Sequence, residues 1–211
     1  MKCIAEIIHR WPSSEAKEWT IPFVSSVCFD PTVLAVVAFG AAARTDKFTA
    51  DVDLLVVYEG RRPVVKQQPM DVDIRWYERS QTEKLIRDGQ ELLGWVLQFG
   101  ELLCEKDAYW TSLRKIWVGK MPFPSAVVAD ARVERAWRLY DELAAMGDED
   151  AADEQYLVAL TQQARAALIR SRVYPASRPE LPSQLRSIHE LGLADQLDAA
   201  LEHREFANSP A

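Results

Sequence analysis

The sequence predicts an α/β (α+β) fold, in which a small mixed sheet flanked by helices is followed by an all-α helical bundle. Three observations carry that prediction. Val33–Phe39 is apolar and rich in β-branched residues, the composition of a buried strand. Asp51–Tyr58 opens with two acids on one face over Val52, Leu54 and Val56 on the other, and 71–77 alternates polar with apolar residues, both signatures of period two. Beyond Gly119–Ser125, with Pro122 and Pro124, the pattern turns wholly helical, so the chain divides into 1–120, which bears the sheet, and 121–211, a helical C-terminal domain.

Taken in order, Ile4, Ile7, Ile8 and Trp11 recur at helical spacing, and Pro12-Ser13-Ser14 ends that helix and offers a cap for the next, 15–28, which Pro22 should kink or shorten. Asp30-Pro31 turns the chain into the first strand. After the second strand, Gly60–Pro63 makes a turn from which Val64 and Val65 extend a hairpin toward the third. Ser80-Gln81-Thr82-Glu83 has capping-box spacing and starts a helix carrying Leu85 and Ile86 inward; Leu92, Leu93, Val96 and Leu97 continue a helical stripe to Gly100. Glu101–Glu105 reads as an edge strand, and Asp107 as the cap of a helix with Trp110, Leu113, Ile116 and Trp117 on its apolar face. In the second half, one stripe runs from Val133 to Ala144 and ends at Gly147, and another runs from Tyr156 to Leu168. Two shorter helices follow, 183–191 and 194–205.

Composition excludes several classes of function. A net charge of −7 and a pI near 5.1 disfavour broad nucleic-acid binding, which needs an excess of Lys and Arg. Arg61, Arg62 and the arginines of the second half read as solvated helix and loop faces. No apolar run approaches the roughly 20 residues of a membrane helix, and Glu6, His9 and Arg10 interrupt any signal core, so a cytoplasmic protein without membrane contact is expected. Cys3, Cys28 and Cys104 lack paired spacing and read as buried thiols. His9, His189 and His203 lack ligand spacing, the tryptophans read as core, and the acids from Asp148 to Glu154 suit a helix N-terminus. A monomer and a homodimer are both compatible with this composition.

The chemistry concentrates between the first strand and the third. Gly40 makes a tight turn, Arg44 follows, and Asp51 and Asp53 then project from the same strand face. Two acids side by side repel and raise each other's pKa, an arrangement favourable mainly when a divalent cation, typically Mg²⁺, lies between them. Asp71 and Asp73 share a face of the third strand, and either reaches that ion if the register shifts by two. Asp73 is preferred because Asp71 sits close to Pro69, where pairing begins.

A buried strand, a glycine turn, Asp51-x-Asp53 and a third acid on a later strand together resemble the polymerase β-like nucleotidyltransferase superfamily, in particular small members with a helical C-terminal half. The resemblance spans roughly Val33 to Trp117. It implies a Mg²⁺-dependent nucleotidyltransferase that moves a nucleoside monophosphate from an NTP to a hydroxyl acceptor, either a small molecule or a protein. It also implies Asp51, Asp53 and Asp73 as metal ligands and catalytic residues, with Gly40, Ala41, Arg44 and Thr45 on the nucleotide. Two residues depart from the family pattern. Ala41 replaces the serine that follows the glycine, and Thr45 stands where many members have a second glycine. A lost hydrogen bond to a charged group is worth roughly 1.5–3 kcal/mol, enough to weaken such a site without abolishing it. The alternative is therefore a catalytically weakened, nucleotidyltransferase-like antitoxin or regulatory protein that covers a protein partner.

Overall fold

The computed structural model of the protein describes residues 4–44, 49–65 and 67–207. The chain folds into two compact units, Met1–Pro122 and Phe123–Ala211.

The first unit is built on a four-stranded mixed sheet: β1 (Val33–Phe39), β2 (Val52–Tyr58), β3 (Val72–Glu78) and β4 (Glu101–Glu105), in the order β3-β2-β1-β4. One face of the sheet buries Val36, Ala38, Val52, Leu54, Val56, Val72 and Ile74 against Ile4, Ile7, Ile8, Val24 and Val27 of α1 (Ile4–Ile7), its C-terminal flank and α2 (Ser14–Cys28). The other face carries Val37, Leu55 and Val57, all fully buried, on the side of α3 (Arg79–Arg87), α4 (Glu91–Phe99) and α5 (Tyr109–Trp117). Being covered on both faces, β1 is buried at all seven positions.

Several expectations are corrected. The second and third strands form no hairpin: β2 and β3 run parallel, with Val52 opposite Val72 and Tyr58 opposite Glu78, while β1 pairs antiparallel with both β2 and β4. Val64 is exposed and 61–65 adopts no strand, so residues 59–71 serve as the return connection that a parallel pair requires. α2 continues through Pro22, which lies on its exposed face while Ala16, Thr20, Val24 and Val27 hold the inner one. The carboxylate of Glu78, rather than Ser80, caps α3 by accepting from the backbone N–H of Ser80 and Gln81. At α5, Asp107 and Ala108 are both left-handed and Asp107 gives no cap; instead Glu105 accepts from Thr111 N–H at 2.9 Å. Ile116 is half exposed and lies off the packed face.

The cysteine expectation is corrected as well. Cys28, at the end of α2, and Cys104, in β4, form a disulfide across a sequence separation of 76. By constraining the unfolded chain over so long a loop, the bond is expected to stabilise the first unit by about 3–4 kcal/mol. Cys28→Ser should therefore lower the denaturation midpoint of the oxidised protein and leave that of the reduced protein nearly unchanged. Equal losses in the two forms would show that the side chain matters only through packing.

The second unit is wholly helical: α6 (Ala126–Met146), α7 (Glu149–Arg170), α8 (Leu181–Ser187) and α9 (Leu191–Ala207). Gly147 closes α6 in the left-handed conformation, and Asp148 caps α7 by accepting from Ala151 N–H at 3.2 Å. Leu157, Leu160, Leu168, Leu181, Leu185 and Leu197 form the core of the unit, and Trp137 donates to the Gln163 side chain at 3.2 Å. Among the described residues, no helix is long and apolar enough to cross a membrane.

Candidate functional site

β1 ends at Gly40, whose φ of 78° lies in the region that favours glycine, and a 3₁₀ turn over Ala41–Ala43 follows. Ala42 and Ala43 are buried in the core. The Ala42 carbonyl accepts from His9 N–H at 2.9 Å and the Ala41 carbonyl from Arg44 N–H at 3.0 Å, so the turn is fixed from both sides. Gly40 also has a steric role. A Cβ at this position would lie 2.0 Å from Asp53 Oδ2, so the missing side chain is what admits that carboxylate beneath the turn.

Asp53 lies opposite Phe39 of β1 on one side and opposite Asp73 of β3 on the other. The parallel register thus places the second acid of the Asp-x-Asp pair and the third acid at the same level of the sheet. Burial first, then the charges of Asp51 and Asp73, push the Asp53 carboxyl up to about 8, and the Arg75 guanidinium opposes them. Asp51 is exposed just before β2, where its carbonyl accepts from the buried Thr49 hydroxyl at 2.8 Å. Asp71 is engaged elsewhere: its carboxylate accepts from the Ser13 hydroxyl at the N-cap of α2, and its carbonyl from Val52 N–H at 2.9 Å. Between the two acids of the third strand, Asp73 is therefore the one in register with Asp53.

Asp73 has a partner that sequence reasoning missed. Arg75 Nη2 lies 2.6 Å from Asp73 Oδ2, with the two side chains 54% and 35% exposed. The signal was present in Asp73-Ile74-Arg75, since residues two apart on a strand share a face. Among the described residues, no three or more histidine, cysteine, aspartate or glutamate side chains are arranged to hold a metal ion. The donor chemistry nevertheless suits one: hard oxygen ligands, two of them in register, with Asp53 retaining near neutral pH a proton that a divalent cation would displace. What the arrangement lacks is the convergence of Asp73, whose carboxylate faces a guanidinium.

Of the residues expected on the nucleotide, Ala41 is half-buried at the start of the 3₁₀ turn, and the Arg44 guanidinium lies 4.6 Å from the centre of the Phe99 ring at the end of α4. Thr45 falls outside the described residues. Trp76 packs against the core and meets Phe23 and Tyr58 edge-on, in line with its reading as a core residue.

No family model matches the chain, and no curated protein matches it. Among solved structures the chain is similar to a nucleotidyltransferase-like protein from Exiguobacterium sibiricum 255-15. The two are 18% identical, the match covers 90% of this chain and 74% of that one, and the TM-score is 0.37. So low a score adds no weight to any assignment of chemistry, which rests on the residues around Gly40 and Asp53.

Proposed function

We propose that this protein binds a nucleoside triphosphate with Mg²⁺ at Asp51, Asp53 and Asp73 and transfers its nucleoside monophosphate to a hydroxyl acceptor. One observation carries this reading: a glycine of positive φ leaves room for Asp53 directly beneath a turn, with Asp73 in register beside it. An acid confined in that way and raised to about 8 is expensive to keep unless its charge is used.

Mg²⁺ held by these carboxylates would neutralise the triphosphate and the charge that develops during phosphoryl transfer. Asp51 and Asp53 would hold the ion that carries the triphosphate. Backbone N–H groups at Gly40 and Ala41 face the phosphates, and Arg44 adds a charge-assisted contact. The acceptor oxygen bonds to the α-phosphorus as the bond to the β-phosphate oxygen breaks. Pyrophosphate leaves, and a carboxylate oxygen of Asp73 takes the hydroxyl proton.

Nucleotide binding by calorimetry and transfer of a radiolabelled nucleoside monophosphate test this reading. Wild type should bind NTP only with Mg²⁺, and Asp51→Asn should weaken both binding and transfer at least tenfold, the worth of one charged ligand interaction. Unchanged binding and transfer in Asp51→Asn would refute it.

A second reading is favoured by the methyl group of Ala41 where a hydroxyl would contact phosphate and by the Asp73–Arg75 pair. On that reading the protein keeps the site as a scaffold and acts by covering a protein partner. Copurification of a stoichiometric partner, with no nucleotide transferred to it or to a small acceptor, would select it.

A further inference from the structure

We infer that Arg75 is a built-in counter-ion of the site, occupying Asp73 until a metal ion takes its place and then turning its guanidinium to the phosphates of the incoming nucleotide. This inference rests on the proposed nucleotide site and deepens it by naming a positioning residue. Three observations support it. The Asp73–Arg75 contact of 2.6 Å engages the carboxylate of the acid that stands opposite Asp53 in the register. Arg75 lies on the same sheet face as Asp53 and Asp73, and its charge already acts on Asp53. Arg75 is also 54% exposed, so its long side chain swings away without unpacking the core, whereas its strand neighbours Ile74 and Val72 are buried.

The physical consequence is a competition with opposite signs for two ligands. Toward a bare divalent cation, Arg75 is a rival: it holds one carboxylate and repels the ion. Toward a metal–nucleotide complex, it is an ally, because a guanidinium released from a carboxylate has five donors suited to phosphate oxygens. A residue that merely supported the strand would shift both affinities in the same direction.

The experiment uses the full chain and Mn²⁺ as a paramagnetic probe, with free Mn²⁺ counted by electron paramagnetic resonance. Wild type, Arg75→Gln and Arg75→Lys are titrated with Mn²⁺ alone and with Mn²⁺ plus a nonhydrolysable ATP analogue, and circular dichroism verifies the fold. For a half-exposed pair, Arg75→Gln should bind Mn²⁺ alone about two- to fivefold tighter and the Mn²⁺–nucleotide complex about two- to fivefold weaker. Arg75→Lys, which keeps the charge, should return toward wild type in both titrations. If wild type binds Mn²⁺ and Arg75→Gln binds it no more tightly, the counter-ion role is wrong and the nucleotide site stands. Tighter binding of both ligands by Arg75→Gln would likewise overturn it, by removing the phosphate contact. If no variant binds Mn²⁺ with or without nucleotide, the nucleotide site fails, and this inference fails with it.

Discussion

Asp53→Asn should abolish nucleotide transfer while making the protein more stable. On the proposed function, the activity loss follows from removing one of the carboxylates that would hold Mg²⁺. Metal stabilisation of phosphoryl charge is worth several kcal/mol, so transfer should fall on the order of a thousandfold. The stability gain follows from the raised carboxyl. Its folded-state value of about 8 exceeds the ordinary 3.8, so between these limits the folded protein binds more protons than the unfolded chain does. Stability is then fully present below about pH 4 and is lost as pH rises through 8. The amide of the variant carries no charge and escapes that loss. At pH 8 the variant should gain several kcal/mol, on the order of 10 °C in unfolding temperature, and at pH 4 the gain should vanish. Thermal unfolding of both proteins from pH 4 to 8 without metal checks this. A difference that does not depend on pH would mean that Asp53 is not confined as described.

Gly40→Ala should damage the same place from the other side. At φ 78° and ψ −172°, a conformation essentially confined to glycine, an alanine costs about 1–3 kcal/mol, and a methyl group 2.0 Å from Asp53 Oδ2 forces the carboxylate or the turn to move. With overpacking of about 1–3 kcal/mol, the total reaches about 2–6 kcal/mol, measurable by chemical denaturation. The steric part depends on Asp53, whereas the backbone part does not. In the double variant Gly40→Ala/Asp53→Ala, the loss assigned to Gly40 should therefore shrink by more than about 1 kcal/mol. Strict additivity would show that the two residues do not meet.

Much of this site was legible along the chain, because it rests on local patterns. β1 falls on the predicted residues, and β2 and β3 each begin one residue later than expected, since apolar content and alternation are properties of consecutive residues. Gly147 and Asp148 were also readable, because a left-handed glycine and an acidic cap act within one turn. The direction of β3 was not. Gly60–Pro63 is a sound local turn, yet the partner of β3 is chosen by burial of Val72 and Ile74 in a core assembled from distant segments. The Cys28–Cys104 bond escaped for the same reason, since the spatial neighbour of a cysteine has no trace in its sequence spacing. Two helix caps were misassigned because Glu78 and Glu105 outcompete nearby Ser80 and Asp107. A carboxylate reaches backbone N–H groups from a strand end as readily as a hydroxyl does from a loop. At the site, the acids were visible as types and positions, and Pro69 already favoured Asp73 over Asp71; what the sequence could not show is the register of Asp73 with Asp53 and the Ser13 contact of Asp71.

β3 passes into α3 without an intervening residue, since Glu78 ends the strand and Arg79 begins the helix. An added or deleted amino acid at that junction would rotate the helix by about 100° relative to the pleat and tear Glu78 from the N–H groups it accepts. Upstream, 59–71 contains no helix or strand among its described residues, and a change of length before Gln68 should leave Asp73 in place. Insertions and deletions accumulating in this lineage should therefore fall ahead of the third strand and spare its exit, keeping the acid and its arginine at a constant distance from the helix that follows.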